Sequence, residues 1–320
     1  MPIDPAIAAV YARNRARGLA IPKNPAEERA YALELSQELF AEYAVPVRPV
    51  PTVDVTVPVD GAPDVRLRLF RPEIGGPLPA YVAFFGGSFR LGGVEWPAPA
   101  AAFSFRSIRS QAVTVAVDYA LAPEHPYPAA VFQGMAALEW VVREGGKHGI
   151  DPARIAIGGM SSGANLAAAV ALLNRDTARI PLQLQLLEVP ALDLTGRYLS
   201  LAAAAGLGRL GFLTLIGLTM VARGYLGGTM THAHEPYASP LLAPDLSGLP
   251  PARILTAQYD PLRRNGEAYA VRLRRAHVDA AVTRFAGMTH DAAAYTRVLP
   301  SARMWQDTAV TALSSALHPQ

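Results

Sequence analysis

A serine in a glycine-flanked turn is the feature of this sequence with the clearest chemical potential. Residues 159–163 read Gly-Met-Ser-Ser-Gly and fit the pattern G-x-S-x-G, in which a strand turns sharply into a helix. The flanking sequence fits such a turn. Residues 154–158 are predicted to form a buried strand, and residues 164–173 are predicted to form a helix. We therefore predict that Ser161 is a nucleophile; the alternative is a plain glycine-rich turn in which a serine caps the helix.

A serine hydroxyl needs a base, and the base needs an acid that orients it. Around a G-x-S-x-G serine, the order along the chain is serine, acid, histidine. We predict His290 as the base, because it lies in the loop 287–290 just after the last predicted strand. Three other histidines that follow the serine lie at the end of a predicted helix (His277) or form an H-x-H pair without a third ligand at metal spacing (His232 and His234). We therefore predict no metal site.

Asp260 is the predicted orienting acid, because it follows the predicted strand at 253–257. The alternative for this residue is a helix cap next to a proline. Three rival acids follow the serine or lie near the base. Asp193 could support a cap instead, Asp291 adjoins the histidine and would point elsewhere, and Glu267 lies inside a predicted helix.

Acyl transfer also needs hydrogen-bond donors for the oxyanion that develops in the transition state. The segment Phe85-Gly86-Gly87-Ser88-Phe89 directly follows a predicted strand, so its backbone N–H groups could point into the site. The N–H of Ser162, next to the nucleophile, would supply another donor. We predict an oxyanion site from Gly86, Gly87, Ser88 and Ser162, although a Gly-Gly pair alone is more typical of an ordinary turn.

The elements that must position these residues alternate between short apolar strands and helices, a pattern that predicts a mostly parallel sheet with helices on both faces. Two strands with alternating polarity come first and are expected to be antiparallel. The predicted α/β fold therefore has eight strands, at 53–57, 65–69, 80–85, 112–117, 154–158, 182–189, 253–257 and 281–285, and main helices at 128–142, 162–174, 263–277 and 303–317.

Two segments, about 1–48 and about 195–230, fall outside this alternation. The first contains Asn24-Pro25-Ala26-Glu27, a helix start with a capping residue and a proline at the first helical position. The second contains the apolar run 210–222, which is shorter than the about 20 residues of a membrane span and is interpreted as a buried or pocket-lining helix. We predict that both segments form a cap over the site within a single domain, 1–320.

Four blocks of the sequence resemble the hormone-sensitive-lipase family of α/β-hydrolases, the bacterial family IV carboxylesterases. Residues 118–126 resemble D-Y-R-L-A-P-E-H-P, and residues 159–167 resemble the elbow G-D-S-A-G-G-N-L-A. Residues 237–241, followed by 259–262, resemble the stretch that carries the family's acid, and 287–290 resemble G-M-x-H. The resemblance implies the α/β-hydrolase fold with a two-part cap.

The resemblance also implies a nucleophile at Ser161, an acid at Asp260 and a base at His290, with oxyanion donors at Gly87, Ser88 and Ser162. One block departs from the family, because Phe85-Gly86-Gly87-Ser88 stands where the family has H-G-G-G. The phenylalanine must hold the loop by packing where the family uses a histidine. Slow turnover of simple esters, or an unusual substrate, would fit an altered loop.

We therefore expect a serine carboxylesterase that hydrolyses short-to-medium acyl esters through an acyl-enzyme, without a metal or organic cofactor. The alternatives are a deacylase or acyltransferase acting on a specialised metabolite, and a non-catalytic small-ligand binder. Substrate contacts are expected from the loop before the elbow and from the apolar cap, at Phe85, Phe89, Leu210, Phe212 and Leu213.

Composition narrows the class of protein further. The chain has 320 residues, of which 51% are hydrophobic and 17% charged, so most of it should fold. It has no cysteine, which excludes disulfides and thiol nucleophiles, and its formal charge of +3 comes from scattered basic residues that do not predict a nucleic-acid surface. Residues 1–20 lack an unbroken apolar region. We expect a cytoplasmic enzyme of small-molecule esters without a membrane span, and leave a homodimer open.

Overall fold

An eight-stranded sheet occupies the centre of the molecule, in a computed structural model that describes residues 2–16 and 24–319. Its strands are β1 (Thr52–Val57), β2 (Val65–Phe70), β3 (Leu78–Phe84), β4 (Val113–Asp118), β5 (Ile150–Met160), β6 (Leu184–Glu188), β7 (Ala252–Ala257) and β8 (Ala280–Phe285). They lie in the order β1-β2-β4-β3-β5-β6-β7-β8. The β1–β2 and β2–β4 pairs are antiparallel and the other pairs are parallel. The predicted fold class is confirmed.

Helices cover the sheet on both faces. In the described residues they are α1 (Pro5–Ala16), α2 (Pro25–Tyr43), α3 (Pro97–Ser110), α4 (Ala129–Glu144), α5 (Ser162–Asp176), α6 (Leu201–Gly206), α7 (Arg209–Tyr225), α8 (Arg263–Arg275) and α9 (Pro300–Leu317). α3 packs against α9, and α4 packs against α5. All seven residues of β3 are buried, which explains why the central strands are continuous apolar runs without alternation.

The sequence did not predict α3, and it placed the end of α8 two residues too late. α3 begins with Pro97 and has a second proline at 99, in the first turn, where a missing N–H leaves no helical hydrogen bond unmade. Because prolines usually indicate turns, the sequence pattern did not predict a helix here. His277, the predicted end of α8, has a φ of 59° and therefore lies in the left-handed region, outside the helix.

The two N-terminal helices contact the loops at the carboxyl ends of the strands. Asn24 caps α2 by accepting a hydrogen bond from the Glu27 N–H at 2.9 Å, as the sequence predicts. From this helix, Arg29 donates to the backbone oxygen of Arg90 at 2.9 Å. Ahead of α1, the N–H of Asp4 donates to the backbone oxygen of residue 287, in the loop that carries His290.

α6 and α7 lie after β6, and α7 reaches the loop before the elbow. The ring of Tyr225 stacks on Phe89 with centroids 3.7 Å apart. These contacts and those of α1 and α2 favour the predicted cap of about 1–48 and about 195–230. Residues 1 and 17–23 of the predicted cap lie outside the described residues. In the part of the chain that is described, no helix is both long and apolar enough to cross a membrane.

Candidate active site

Ser161 lies on a sharp corner between β5 and α5. Its backbone has φ 57° and ψ −118°, a conformation that costs free energy for a residue with a Cβ and is typical of functional corners. The two flanking glycines are required by close backbone approach. A Cβ on Gly159 would lie 2.6 Å from the carbonyl oxygen of Phe84, and one on Gly163 would lie 2.3 Å from the same atom. The pattern G-x-S-x-G is therefore explained by the space that the corner leaves.

Three polar side chains form a continuous hydrogen-bonded line at this corner. His290 Nε2 lies 2.9 Å from Ser161 Oγ, and His290 Nδ1 lies 2.9 Å from Asp260 Oδ2. The Asp260 side chain is 1% exposed, and its other oxygen accepts the Leu262 N–H at 2.8 Å. The loops after β5, β7 and β8 bring these residues together from distant parts of the chain. The arrangement is that of a nucleophile, a base and an orienting acid.

The electrostatic surroundings of His290 favour its charged form. Burial opposes this by lowering the pKa of the imidazole, but attraction and hydrogen bonding to the Asp260 carboxylate raise it, and Asp291 adds a smaller effect of the same sign. The net result is a pKa above the ordinary histidine value. The site can therefore stabilise the imidazolium that forms when the base takes a proton from the serine.

The raised pKa predicts a shifted pH profile. Only neutral His290 can accept the serine proton, so kcat/KM should rise with pH along a limb whose midpoint lies above about 6.5. Asp260→Asn should move this midpoint to lower pH, because the largest effect that raises the pKa is lost. The measurement is kcat/KM for a small ester from acid to alkaline pH, with Glu267→Gln as a control outside the line. An unmoved midpoint in Asp260→Asn would contradict this assignment.

The rival acids have other partners. Asp193 accepts hydrogen bonds from the N–H groups of Thr195 and Tyr198, and so holds the segment that leads into α6. Asp291 accepts from the hydroxyls of Tyr11, Thr289 and Tyr295, which occupy its carboxylate oxygens. The third rival, the carboxylate of residue 267, is ion-paired with arginines 263 and 284 on the surface.

The other candidate histidines also lie elsewhere. His232 pairs with the carboxylate of Glu235 at 2.5 Å, next to an exposed His234. His277 is exposed beyond the end of α8. A fifth histidine after the serine, His318, lies 2.9 Å from the backbone oxygen of Ser110. Of these five histidines, only His290 has a hydrogen bond with Ser161.

The predicted oxyanion loop has an unusual backbone. Gly87, Ser88 and Phe89 have positive φ values of 151°, 56° and 60°, respectively. Ser88 and Phe89 therefore adopt a left-handed backbone conformation although both carry a Cβ. Gly86 lies directly against the nucleophile, since a Cβ there would be 3.4 Å from the Cβ of Ser161. Such strain persists only where the surroundings fix it.

Two side chains that sequence reasoning did not use in this way hold the loop. The Gly87 N–H donates to the hydroxyl oxygen of Ser162 at 3.1 Å. The hydroxyl of Tyr119 donates to the backbone oxygen of Phe85 at 3.0 Å, and it also interacts with the Ser162 hydroxyl. The Phe85 ring stacks on Tyr119 with centroids 4.2 Å apart. The family's elbow has alanine where this chain has Ser162, and that difference is the signal that could have revealed the contact.

A small cavity of about 40 Å³ opens against Ser161. Ser88, Phe89 and Ser162 line it from the loop and the elbow. Its other walls come from the segment 191–199, from α7 and from Leu262. Phe89, predicted to bind substrate, therefore reaches the cavity, whereas Phe85 is not among its lining residues and packs on Tyr119 behind the loop.

Three other residues predicted to bind substrate do not line this cavity. Leu210, Phe212 and Leu213 lie on the outer side of α7 and are 38%, 65% and 53% exposed. The inner side of the same helix lines the cavity, through residues that include Leu218 and Ala222. α7 is apolar on both sides, so the sequence contains no polar face that marks the outward direction. The interpretation of 210–222 as a buried helix is correct for one side only.

Comparisons with known proteins agree with this architecture. A family profile described as alpha/beta hydrolase fold matches residues 81–294, which include all three residues of the hydrogen-bonded line. Carboxylesterase NlhH of Mycobacterium tuberculosis is 36% identical over 297 residues, covering 92% of this chain and 89% of its own. The sequence similarity therefore extends over most of both proteins.

Two solved structures resemble this chain over nearly its full length. The thermostable carboxylesterase EstE1, cloned from a metagenomic library, has a TM-score of 0.86 at 37% identity, covering 94% of this chain and 100% of its own. The hyperthermophilic esterase of the archaeon Pyrobaculum calidifontis has a TM-score of 0.88 at 34% identity, covering 98% and 99%.

Proposed function

This chain belongs to the hormone-sensitive-lipase family of α/β-hydrolases and is a carboxylic ester hydrolase, and we propose that it cleaves esters of short-to-medium acids through an acyl-enzyme on Ser161. The observation that carries the proposal is the hydrogen-bonded line from Ser161 through His290 to Asp260. The strained corner, which presents the hydroxyl at the end of β5, also supports it. The names of the mycobacterial relative and of the two solved structures support ester hydrolysis.

The proposed reaction has two halves. Ser161 Oγ attacks the ester carbonyl while His290 Nε2 takes its proton, and the Asp260 carboxylate holds the imidazole and stabilises its charge. The tetrahedral intermediate then expels the alcohol, which receives the proton from His290. In the second half, His290 takes a proton from water, whose oxygen attacks the acyl-enzyme, and the acid leaves as Ser161 regains a proton.

The oxyanion of both intermediates needs N–H donors. We assign this role to the Ser162 N–H and to the loop N–H groups of Gly87 and Ser88. In the free protein the Gly87 N–H has an acceptor, the Ser162 hydroxyl, which keeps this peptide oriented toward the elbow. Gly86 contributes the close approach of the loop to the nucleophile.

The size of the cavity beside Ser161 leads to a prediction about acyl length. Because the cavity measures about 40 Å³, p-nitrophenyl esters of acetate to hexanoate should give the highest kcat/KM, and long acyl chains should react more slowly. The measurement is a hydrolysis series at constant leaving group below the solubility limit of each ester. Leu218 lines the cavity, so Leu218→Ala enlarges it and should move the acyl length with the highest kcat/KM toward longer chains. A rate that rises steadily to long chains in the unmodified protein would reject the size argument.

A further inference from the structure

A second cavity of about 450 Å³ lies next to the one beside Ser161 and is more open to solvent. The two share Gly196, Leu199 and Thr219 as lining residues, so they are neighbours across these residues. The outer cavity, called here the outer groove, has apolar walls that include Leu215 and Ile216. Its position suits the part of a substrate that extends away from the reacting carbonyl.

Two arginines give the outer groove a specific charge. Arg197 and Arg264 both line it, and both are exposed. Within the described residues, neither guanidinium has a hydrogen bond or an ion pair, whereas arginines such as Arg175 and Arg272 bind backbone oxygens or carboxylates. Two unneutralised guanidiniums on one groove repel each other, and an anion between them would relieve that repulsion.

The nearby carboxylates do not neutralise this pair. Residues 194–234 contain no aspartate or glutamate. Asp193 is buried and accepts hydrogen bonds from the segment that follows it. Glu267, one turn along α8 from Arg264, is ion-paired with Arg284 and Arg263. The groove is therefore an apolar channel with a net positive rim.

Building on the proposed function, we propose that the outer groove binds a carboxylate at the far end of the substrate. The short side of the ester occupies the cavity beside Ser161, and the longer side lies along the apolar walls with its carboxylate at Arg197 and Arg264. A guanidinium fits a carboxylate through two parallel hydrogen bonds, which neutral groups cannot replace. The preferred substrates are esters that carry a free acid.

Matched substrates test this proposal. One series consists of acetate esters of ω-hydroxy acids, in which the alcohol side of the ester carries the free acid. The other consists of methyl half-esters of dicarboxylic acids, in which the acyl side carries it. Each acid is compared with the neutral primary amide of the same length. In at least one series kcat/KM should be about tenfold higher for the acid, the size of one exposed charge-assisted hydrogen bond. The ratio should fall as salt is added, because exposed charges are screened.

Variants identify the residues responsible. Arg197→Gln and Arg264→Gln should each reduce the ratio, and the double variant should bring it close to one while the rate on the amides stays unchanged. Arg209→Gln is the matched control, because Arg209 is an exposed arginine at the start of α7 that lines neither cavity. This control should leave the ratio as it is.

Binding without turnover separates this proposal from the proposed function. With Ser161→Ala, calorimetric titration should show the acid binding about tenfold more tightly than its amide, and the double arginine variant should abolish the difference. Equal kcat/KM for acids and amides, or a preference that survives the double variant, would overturn the role of the groove and leave ester hydrolysis standing. Charge-selective binding with no hydrolysis of any ester would instead overturn the proposed function.

Discussion

Replacing Ser161 with alanine should lower kcat by about 10⁶-fold, the loss typical of a serine–histidine–acid site without its nucleophile. The substitution removes one hydroxyl and its hydrogen bond to His290, so the free energy of unfolding should change by only about 1 kcal/mol. The measurement combines steady-state hydrolysis of p-nitrophenyl acetate with thermal unfolding of the same preparation.

The adjacent serine is the matched control for this substitution. Ser162→Ala restores the family's residue and removes the acceptor of the Gly87 N–H together with the partner of the Tyr119 hydroxyl. Because neither contact involves the nucleophile, kcat should fall only about tenfold, the cost of one weakened hydrogen bond. A fall in Ser162→Ala as large as that in Ser161→Ala, or a Ser161→Ala protein that keeps most of its activity, would contradict the assignment of the nucleophile.

His290→Ala should also lower kcat by about 10⁶-fold. When residues act together in catalysis, removing one of them costs about as much rate as removing all of them. The substitution also removes the Nδ1 partner of the buried Asp260 carboxylate, which then keeps, among the described residues, only the Leu262 N–H. We therefore expect a loss of about 1–3 kcal/mol in the free energy of unfolding, measured by urea denaturation.

His232→Ala and His234→Ala are the controls for the base. Both residues lie in a surface turn away from the elbow, so both variants should keep normal kcat and KM. If His290→Ala kept near-normal hydrolysis while one of these variants lost it, the base would have to be reassigned. A double variant of Ser161 and His290 should be no slower than either single variant.

The sequence predicted most of what depends on local pattern. The glycines at 159 and 163 signal a corner whose cause, close approach to the Phe84 carbonyl, can be measured only in three dimensions. The buried strands were located within a few residues because burial on both faces makes them uniformly apolar. Chain order and loop position led to the predictions of His290 and Asp260, although nothing in the sequence gives the 2.9 Å contacts that these side chains make.

What the sequence could not predict depends on which way side chains face. α7 is apolar all round, so the sequence could not distinguish the exposed Phe212 and Leu213 from the inward Leu218. The bond between the Gly87 N–H and the Ser162 hydroxyl joins residues 75 positions apart and has no local pattern. The outer groove likewise combines Arg197 and Arg264 from separate elements.

Covalent labelling with a fluorophosphonate tests the central assignment most directly, because the reagent reacts with an activated serine and needs no knowledge of the natural ester. Trypsin should release residues 155–175 as one peptide, which contains both Ser161 and Ser162. Fragment masses should place a single adduct on Ser161, and His290→Ala should prevent its formation. An adduct on Ser162 or on another residue, or an unlabelled Ser161 in folded protein, would contradict the account.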